Sequence, residues 1–326
     1  MATIIDNDAL TQGDNPEGYS QPSIIRCSSS LMFVGHVNDS YTLEIHKSTD
    51  GGQTFSLNTS FSVGGSCTFC LVPLTSTKAG LILYDGTNIK YYRTDDSGAN
   101  WTQKYSSSVS GVTKLLLTYD PNSGKLWYAR CYNSNTKLKM YYSTNLGDSW
   151  TDLGTLDAYY LYDIDSDRLS GYCYSLYDYN NTLYVTKNLE SVWSYSESNI
   201  TFHDGKIVID STGKRFIFYV RRDTSTSKER LVVRVNEGNE IVIYDPDSDN
   251  IIIKGSTSVA CDNDDNIYIY YTKKSDEKTY YRKYNSSTDT WESEVKFIDV
   301  VNNRINTEKH VLAGSSKVNY IFYKQP

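Results

Sequence analysis

Hydrophobic and polar residues alternate along most of this chain, in short runs separated by turn-forming residues. In one such stretch, apolar runs at 67–71 and 80–84 are followed by an alternating run at 89–94 and a short one at 102–105. A period of two over such short spacings predicts β-strands, whereas no stretch shows the 3.6-residue period of an amphipathic helix. We therefore expect an all-β protein with very little helix.

An eight-residue motif recurs along the chain: Ser or Thr, any residue, Asp or Asn, any residue, Gly, any two residues, and an aromatic. It occupies 48–55, 94–101 and 143–150, and a fourth copy at 186–193 has Glu190 in place of the glycine. The Asp or Asn side chain can accept hydrogen bonds from backbone N–H groups further along a turn, and Gly permits a positive φ, so we expect a structural turn. The defining positions are Ser48, Asp50, Gly52, Phe55, Thr94, Asp96, Gly98, Trp101, Ser143, Asn145, Gly147, Trp150 and Trp193.

The spacing of these motifs predicts the architecture. Their aromatic residues are separated by 46, 49 and 43 residues, and Trp291 follows Trp193 by 98, about two further units. A unit without the motif keeps the four-strand pattern, with runs at 206–210, 216–221, 230–235 and 240–244. Units of about 45 residues with four antiparallel strands are typical of β-propeller blades.

We expect six such units between residues 22 and 300. Two further strands, near 310–313 and 318–323, could pair with an N-terminal strand at 3–5. This would make a seventh, three-stranded blade that joins the two ends of the chain, and seven blades is the count we favour. The alternative is six blades with the last strands overlapping the first or last one. No linker divides the chain, so residues 1–326 are predicted to form one domain, with 1–21 helping to close the ring.

Composition excludes several functional classes. The net charge of -7 and a pI near 5.2 disfavour nucleic-acid binding. No apolar run is long enough to span a membrane and no signal peptide is apparent, so we expect folding in the cytoplasm.

With 30 tyrosines the surface is suited to binding sugars or proteins. The six cysteines, including the CxxC of Cys67 and Cys70, are expected to be reduced and mostly buried, and neither a metal nor a cofactor is predicted.

The repeated motif is the Asp-box, or bacterial neuraminidase repeat, and the chain resembles the sialidase-like β-propeller superfamily. The likeness covers the first four units. It implies that the boxes lie at the turn between the third and fourth strands of each blade, away from the active face, and that box residues are not catalytic. Asp-boxes also occur in propellers that are not sialidases, so the resemblance implies the fold more strongly than an activity.

The chain departs from the sialidase pattern just before the first unit. The family carries an aromatic-Arg-Ile-Pro motif there, whereas this chain has Tyr19, Ser20, Gln21 and Pro22. The family's arginine belongs to a group of three that binds the carboxylate of sialic acid, and a serine cannot supply its two parallel charged hydrogen bonds. Asp39 is the weak candidate for the family's acid/base, and a turn residue is the simpler interpretation. Tyr19, Arg221 and Arg222 are candidate ligand-binding residues, the last two as a clamp at the end of an inner strand.

Two functions follow as hypotheses. The first is a non-catalytic propeller for binding or assembly, such as a phage-tail or viral structural or receptor-binding protein. Its partners would be other protein subunits or a cell-surface glycan. The second is an exo-acting glycoside hydrolase of the sialidase type. The missing arginine and the lack of any other catalytic motif favour the first hypothesis.

Overall fold

The computed structural model describes residues 22–38, 40–63, 67–132, 136–245, 256–298, 303–307, 309–310 and 320–324. Every regular element in these ranges is a β-strand, which confirms the all-β prediction. Within the same ranges there is no helix with the length and apolar character needed to cross a bilayer.

The strands are numbered in chain order. The first three sheets contain β1 (Ser23–Arg26), β2 (Met32–Val37), β3 (Thr42–Ser48), β4 (Ser56–Ser62), β5 (Thr68–Pro73), β6 (Ala79–Tyr84), β7 (Asn88–Thr94), β8 (Thr102–Ser108), β9 (Val112–Asp120), β10 (Lys125–Tyr132), β11 (Lys137–Ser143) and β12 (Thr151–Asp157). The remaining sheets contain β13 (Tyr160–Asp167), β14 (Tyr172–Tyr179), β15 (Thr182–Lys187), β16 (Glu190–Tyr195), β17 (Ile200–Ile209), β18 (Arg215–Asp223), β19 (Glu229–Val235), β20 (Ile241–Tyr244), β21 (Ser258–Cys261), β22 (Ile267–Thr272), β23 (Thr279–Asn285), β24 (Thr290–Trp291), β25 (Val295–Ile298), β26 (Asn303–Thr307) and β27 (Tyr320–Lys324).

Six sheets of consecutive antiparallel strands account for β1 to β25. Sheets 1 to 5 are four-stranded meanders, beginning at β1, β5, β9, β13 and β17, and sheet 6 runs from β21 to β24 with β25 also paired to β23. The predicted units at 67–105 and 206–244 are confirmed as sheets 2 and 5, each with four strands in the expected order. These sheets have the form of propeller blades.

The first strands of the sheets lie next to one another and form the hub. Neighbouring contacts run β1–β5–β9–β13–β17–β21, and β26 lies against both β21 and β1, so the ring closes. The strand expected near 318–323 is present in its described part as β27, which pairs with β26. His310 makes a single parallel bridge to Cys261, and the rest of the strand expected at 310–313 lies outside the described residues, so it stays a prediction. The predicted strand at 3–5 lies outside the described residues, so the count of seven blades stays a prediction.

The hydrophobic core is divided among the interfaces between consecutive sheets. Sheets 1 and 2 share one buried cluster, and the pairs 2 and 3, 3 and 4, 4 and 5, and 5 and 6 each share another. All six cysteines are free thiols, and five of them are buried. Because both faces of a sheet are covered by its neighbours, the strands carry apolar residues on both sides of the pleat.

The three complete boxes form the turns between the third and fourth strands of sheets 1, 2 and 3. In the second box, the Gly98 N–H donates to Thr94 Oγ1 over 2.7 Å, and the Asn100 N–H donates to Asp96 Oδ1 over 2.9 Å. The equivalent pairs in the first and third boxes have distances of 2.8 to 3.0 Å. The box side chains therefore satisfy backbone groups that the turn would otherwise leave unpaired.

Each complete box of sheets 2 and 3 also docks on the preceding sheet. Trp101 packs edge-on against Phe33 of sheet 1 at 5.5 Å between ring centroids, and its Nε1 donates to Asn58 Oδ1 over 2.9 Å. Trp150 packs in the same way on Tyr91 of sheet 2. The box is therefore both a turn and a contact between blades.

The fourth copy of the motif keeps the spacing but not this contact. Asn188 and Leu189 both have positive φ, so β15 and β16 are joined by a tight two-residue turn, and Glu190 begins β16. Trp193 packs on the cluster shared with sheet 5 instead of facing sheet 3. Trp291 of sheet 6 packs edge-on against Phe218 of sheet 5, as the complete boxes do.

The docking of the third box gives a stability prediction. Gly147 has a φ of +89°, and a Cβ there would overlap the ring of Tyr91, whereas Gly124 has a φ of +67° with no atom within 4 Å of its Cβ position. Replacing Gly147 by alanine should lower the free energy of unfolding by about 3 kcal/mol, and Gly124→Ala by about 1 kcal/mol, because only the first adds overlap to backbone strain. Chemical denaturation measures both values. Equal losses would show that the box does not sit on Tyr91.

Candidate functional site

A cavity of about 190 Å³ lies in the hub, where the inner strands meet. Its walls come from β1, β5, β9, β13, β17 and β21, together with residues 307, 309 and 310 near the end of the chain. Each inner strand contributes side chains from one edge of its sheet, so the cavity exists only because the ring is closed. This is the concave site that a propeller of this kind offers to a small ligand.

The cavity is strongly cationic. Among the described residues, five lysine and arginine side chains line it, against the single carboxylate of Asp163. The cationic residues are Arg26, Lys114, Arg168, Lys206 and Lys309. The chain as a whole has a net charge of -7, so the hub has the opposite sign to the average surface. Such a site focuses anions from solution.

The carboxylates of the hub hold the inner strands together. Asp163 Oδ2 accepts the backbone N–H of Ile207 over 3.1 Å, and Asp165 Oδ2 accepts that of Ile209 over 2.8 Å. Both aspartates lie on β13, and both N–H groups belong to β17, which runs beside it. The two side chains therefore act as structural bridges between sheets 4 and 5.

The same two carboxylates fasten the end of the chain to the hub. Lys309 Nζ lies 2.6 Å from Asp163 Oδ1, and His310 Nε2 lies 2.9 Å from both oxygens of Asp165. Burial acts to raise the pKa of Asp165, but contacts with His310 and Lys309 outweigh it and lower the pKa. Burial acts to lower the pKa of Lys309, but the negative charges of Asp163 and Asp165 outweigh it and raise the pKa. Asp163 and Lys309 thus form an ion pair that is satisfied within the protein.

Lys114 and Lys206 have no such partner. Neither ammonium group forms an ion pair with a carboxylate among the described residues, although both side chains are half-buried. Burial in the hub and the nearby charge of Lys206 together lower the pKa of Lys114 to about 8, although the negative charges of Asp163 and Asp204 act in the opposite direction. Two neighbouring cations, neither in an ion pair with a described carboxylate, are the feature of this cavity that is suited to holding an anionic group.

The arginines do not reproduce the sialidase arrangement in the part of the chain that is described. Arg26 ends β1 and Arg168 follows β13, and no third arginine lines the cavity. Arg221 and Arg222 lie on β18, the second strand of sheet 5, so their expected position on an inner strand is wrong. Arg221 is paired with Glu197 and Glu240, at 2.9 Å from each. Tyr19 and Asp39 lie outside the described residues.

Sequence reasoning missed both the hub lysines and a cluster of His36, Glu44 and His46 on sheet 1. A usable signal existed for the lysines: Lys114 and Lys206 stand next to the apolar inner runs of sheets 3 and 5, 92 residues apart, which is two repeat units. For the histidine cluster the signal was the two-residue spacing along the strand: Glu44 and His46 lie on the same face of β3, and His36 is paired with Glu44 across the β2–β3 hairpin.

Comparison with known proteins supports the fold. No family model matches the chain. No curated protein sequence matches it either. The structure is similar to a protein from Lactobacillus plantarum (TM-score 0.56, 10% identity, covering 90% of this chain and 88% of that one). It is also similar to Sqt1 from Saccharomyces cerevisiae (TM-score 0.53, 12% identity, covering 93% of this chain and 84% of that one). A third similar structure is an Aleuria aurantia lectin mutant in complex with Fucalpha1-6GlcNAc (TM-score 0.52, 9% identity, covering 85% of this chain and 95% of that one). At these identities the likeness shows the β-propeller fold alone.

The hub bridges give a second prediction. Asp165→Asn should lower the free energy of unfolding by about 3 kcal/mol, because it removes one partner of a buried charged contact. The change Asp157→Asn, at an exposed pair with Lys137, should cost less than about 1 kcal/mol. Because the pKa of Asp165 is lowered by folding, its stabilisation is complete above the unfolded-state pKa and is lost as the pH falls. Denaturation at pH 7 and pH 3 tests this, and an Asp165→Asn protein with the acid sensitivity of the parent would contradict it.

Proposed function

We propose that this propeller is a non-catalytic binding module that takes an acidic group of a glycan into its hub. The observation that carries the proposal is the charge of the cavity, whose described lining has five cationic side chains and one carboxylate in a chain with a net charge of -7. Lys309 is paired with that carboxylate. Of the other four cationic side chains, we assign Lys114 and Lys206, which form no ion pair with a described carboxylate, to the ligand.

The energetics of the lysine pair favour an anion. Removing two like charges from water costs free energy, and the lowered pKa of Lys114 is the expression of that cost. A carboxylate placed between the two ammonium groups would offset this free-energy cost through charge-assisted hydrogen bonds. A neutral sugar would not, so the site should discriminate in favour of acidic ligands.

The size of the cavity supports a sugar acid. A volume of about 190 Å³ is below the roughly 300–1,000 Å³ of pockets that enclose a drug-sized ligand, so it accommodates one acidic group or one ring. Tyr160, which is 66% exposed, begins β13 three residues before the cavity-lining Asp163, and the preceding Tyr159 is 43% exposed; neither lines the cavity itself. Exposed tyrosine rings present rigid, amphipathic faces on which further sugar units can stack.

The hub aspartates favour binding over turnover. Asp163 and Asp165 accept backbone N–H groups and contact Lys309 and His310, so both carboxyl groups are used as acceptors within the protein and are not placed as proton donors to a ligand. A general acid in a glycosidase needs a raised pKa, whereas that of Asp165 is lowered. A place in a phage or viral particle stays a prediction from the sequence, and the binding proposal does not depend on it.

Titration calorimetry with 3′-sialyllactose tests the proposal. Replacing Lys114 or Lys206 by glutamine should weaken binding by at least about tenfold, because each loses one charged hydrogen bond. The exposed Lys137→Gln serves as the matched control and should bind like the parent, and lactose should not bind at all. Binding that survives both hub substitutions, or equal affinity for lactose, would contradict the proposed site. Release of the fluorophore from a fluorogenic sialoside would contradict the non-catalytic assignment.

The pH dependence of binding provides an independent check. The pKa of Lys114 is lowered to about 8, so this side chain loses its charge as the pH rises through that value. Affinity for 3′-sialyllactose should therefore fall between pH 7 and pH 9, while the sugar carboxylate stays ionised throughout. The Lys114→Gln protein should show a weaker pH dependence over the same range. A flat profile for the parent protein would show that Lys114 does not meet the ligand.

A further inference from the structure

Three side chains of sheet 1 direct their ligating atoms at one another, away from the hub cavity. His36 on β2 is paired in register with Glu44 on β3, and His46 follows two residues later on the same face of the sheet. The His36 and His46 Nε2 atoms are 3.3 Å apart. Glu44 Oε2 lies 3.1 Å from His46 Nε2 and 3.4 Å from His36 Nε2.

Protons alone cannot satisfy this triangle. If both rings carry hydrogen on Nε2, both can donate to Glu44, but the two N–H groups then face each other across 3.3 Å. If only one ring carries that hydrogen, the other presents a lone pair to the carboxylate oxygen. One side of the triangle is unfavourable in either tautomer, because a neutral imidazole has a single N–H. A cation placed among the three atoms is attracted by all of them.

The dimensions of the triangle match a metal site. Zinc binds imidazole nitrogen and carboxylate oxygen at about 2.0–2.2 Å, and tetrahedral ligands at about 2.0–2.1 Å from the metal are about 3.3–3.4 Å from one another. The observed separations of 3.1, 3.3 and 3.4 Å fall close to that value. Two histidines with one carboxylate also form a ligand set that proteins use for zinc and other first-row transition metals.

We propose that His36, Glu44 and His46 bind a divalent transition-metal ion of the zinc class. The three protein ligands leave a fourth position for water or for an oxygen atom of a ligand, as in open zinc sites. This site is separate from the hub cavity and does not depend on the glycan-binding proposal.

The surroundings of the cluster support metal binding. Asn38 Nδ2 donates to the second carboxylate oxygen of Glu44 over 2.7 Å. Asn38 is itself fixed, because its Oδ1 accepts the backbone N–H groups of Ser40 and Thr42 at 3.0 and 3.1 Å. Outer contacts of this kind orient metal ligands. The ligand side chains are 9–24% exposed and stand on adjacent paired strands, so they are held in place before any ion binds.

The other clustered histidine of the described chain provides a contrast. His203 contacts Asp204 through Nδ1 at 3.2 Å and Glu229 through Nε2 at 3.3 Å. Its two carboxylates thus meet opposite nitrogens of the ring and cannot converge on one ion. His203→Gln is therefore the matched control for the loss of one buried histidine.

The test uses the full-length protein, stripped with a chelator and titrated with ZnCl₂ by calorimetry. The parent and His203→Gln should bind one zinc ion per chain at the same affinity. His36→Ala, His46→Ala and Glu44→Gln should each lose at least about a hundredfold in affinity, and Asn38→Ala about tenfold to a hundredfold. Cobalt added to the stripped parent should give the visible absorption of a tetrahedral site, and the ligand variants should not.

Folding is checked separately, so that a misfolded variant cannot imitate the expected result. Circular dichroism and the melting temperature are recorded in EDTA, and His36→Asn and His46→Asn replace any alanine variant that fails to fold. Zinc should raise the melting temperature of the parent by mass action and leave that of the folded ligand variants unchanged. A parent that binds no zinc, or folded ligand variants that bind it as tightly as the parent, would overturn the proposal.

Discussion

Sheets 2 to 5 of this protein each have two apolar faces, and neither face can be left in water. The buried clusters lie between consecutive sheets, so each of these four sheets supplies one wall to each of two interfaces. A linear stack of such sheets would always expose its two ends, whereas a ring exposes neither. Closure of the ring is therefore the constraint on which the fold, the hub and its charges depend. The Asp165 bridge and the box contacts of Trp101 and Trp150 act at the points where one sheet meets the next.

Closure also explains why charged side chains occur at the centre. The inner strands converge there. Their apolar side chains pack against the neighbouring sheets, and their other side chains line a narrow space that water can reach. Asp163 and Asp165 use that space to tie β17 and the chain end to β13. Lys114 and Lys206 remain without carboxylate partners among the described residues. The positive charge of the described cavity comes from lysines and arginines of different strands and of the segments that follow them.

Much of the fold could be predicted from the sequence, because it is encoded locally. Period-two alternation defines the strands, and the motif from Thr94 to Trp101 encodes its own turn through side-chain to backbone hydrogen bonds. The site could not be predicted in the same way. Lys114 and Lys206 become neighbours only when sheets 3 and 5 are placed around a common centre. Arg221 was expected on an inner strand but lies on β18, the second strand of its sheet. A strand pattern does not reveal whether a strand is the first or the second of its sheet.

A crystal structure of the protein with 3′-sialyllactose will show whether the hub lysines receive an acidic group. We expect density for the sugar carboxylate within hydrogen-bond distance of the Nζ atoms of Lys114 and Lys206, with Asp163 still paired to Lys309. Ligand density elsewhere on the propeller, with solvent alone between the two lysines, would contradict it.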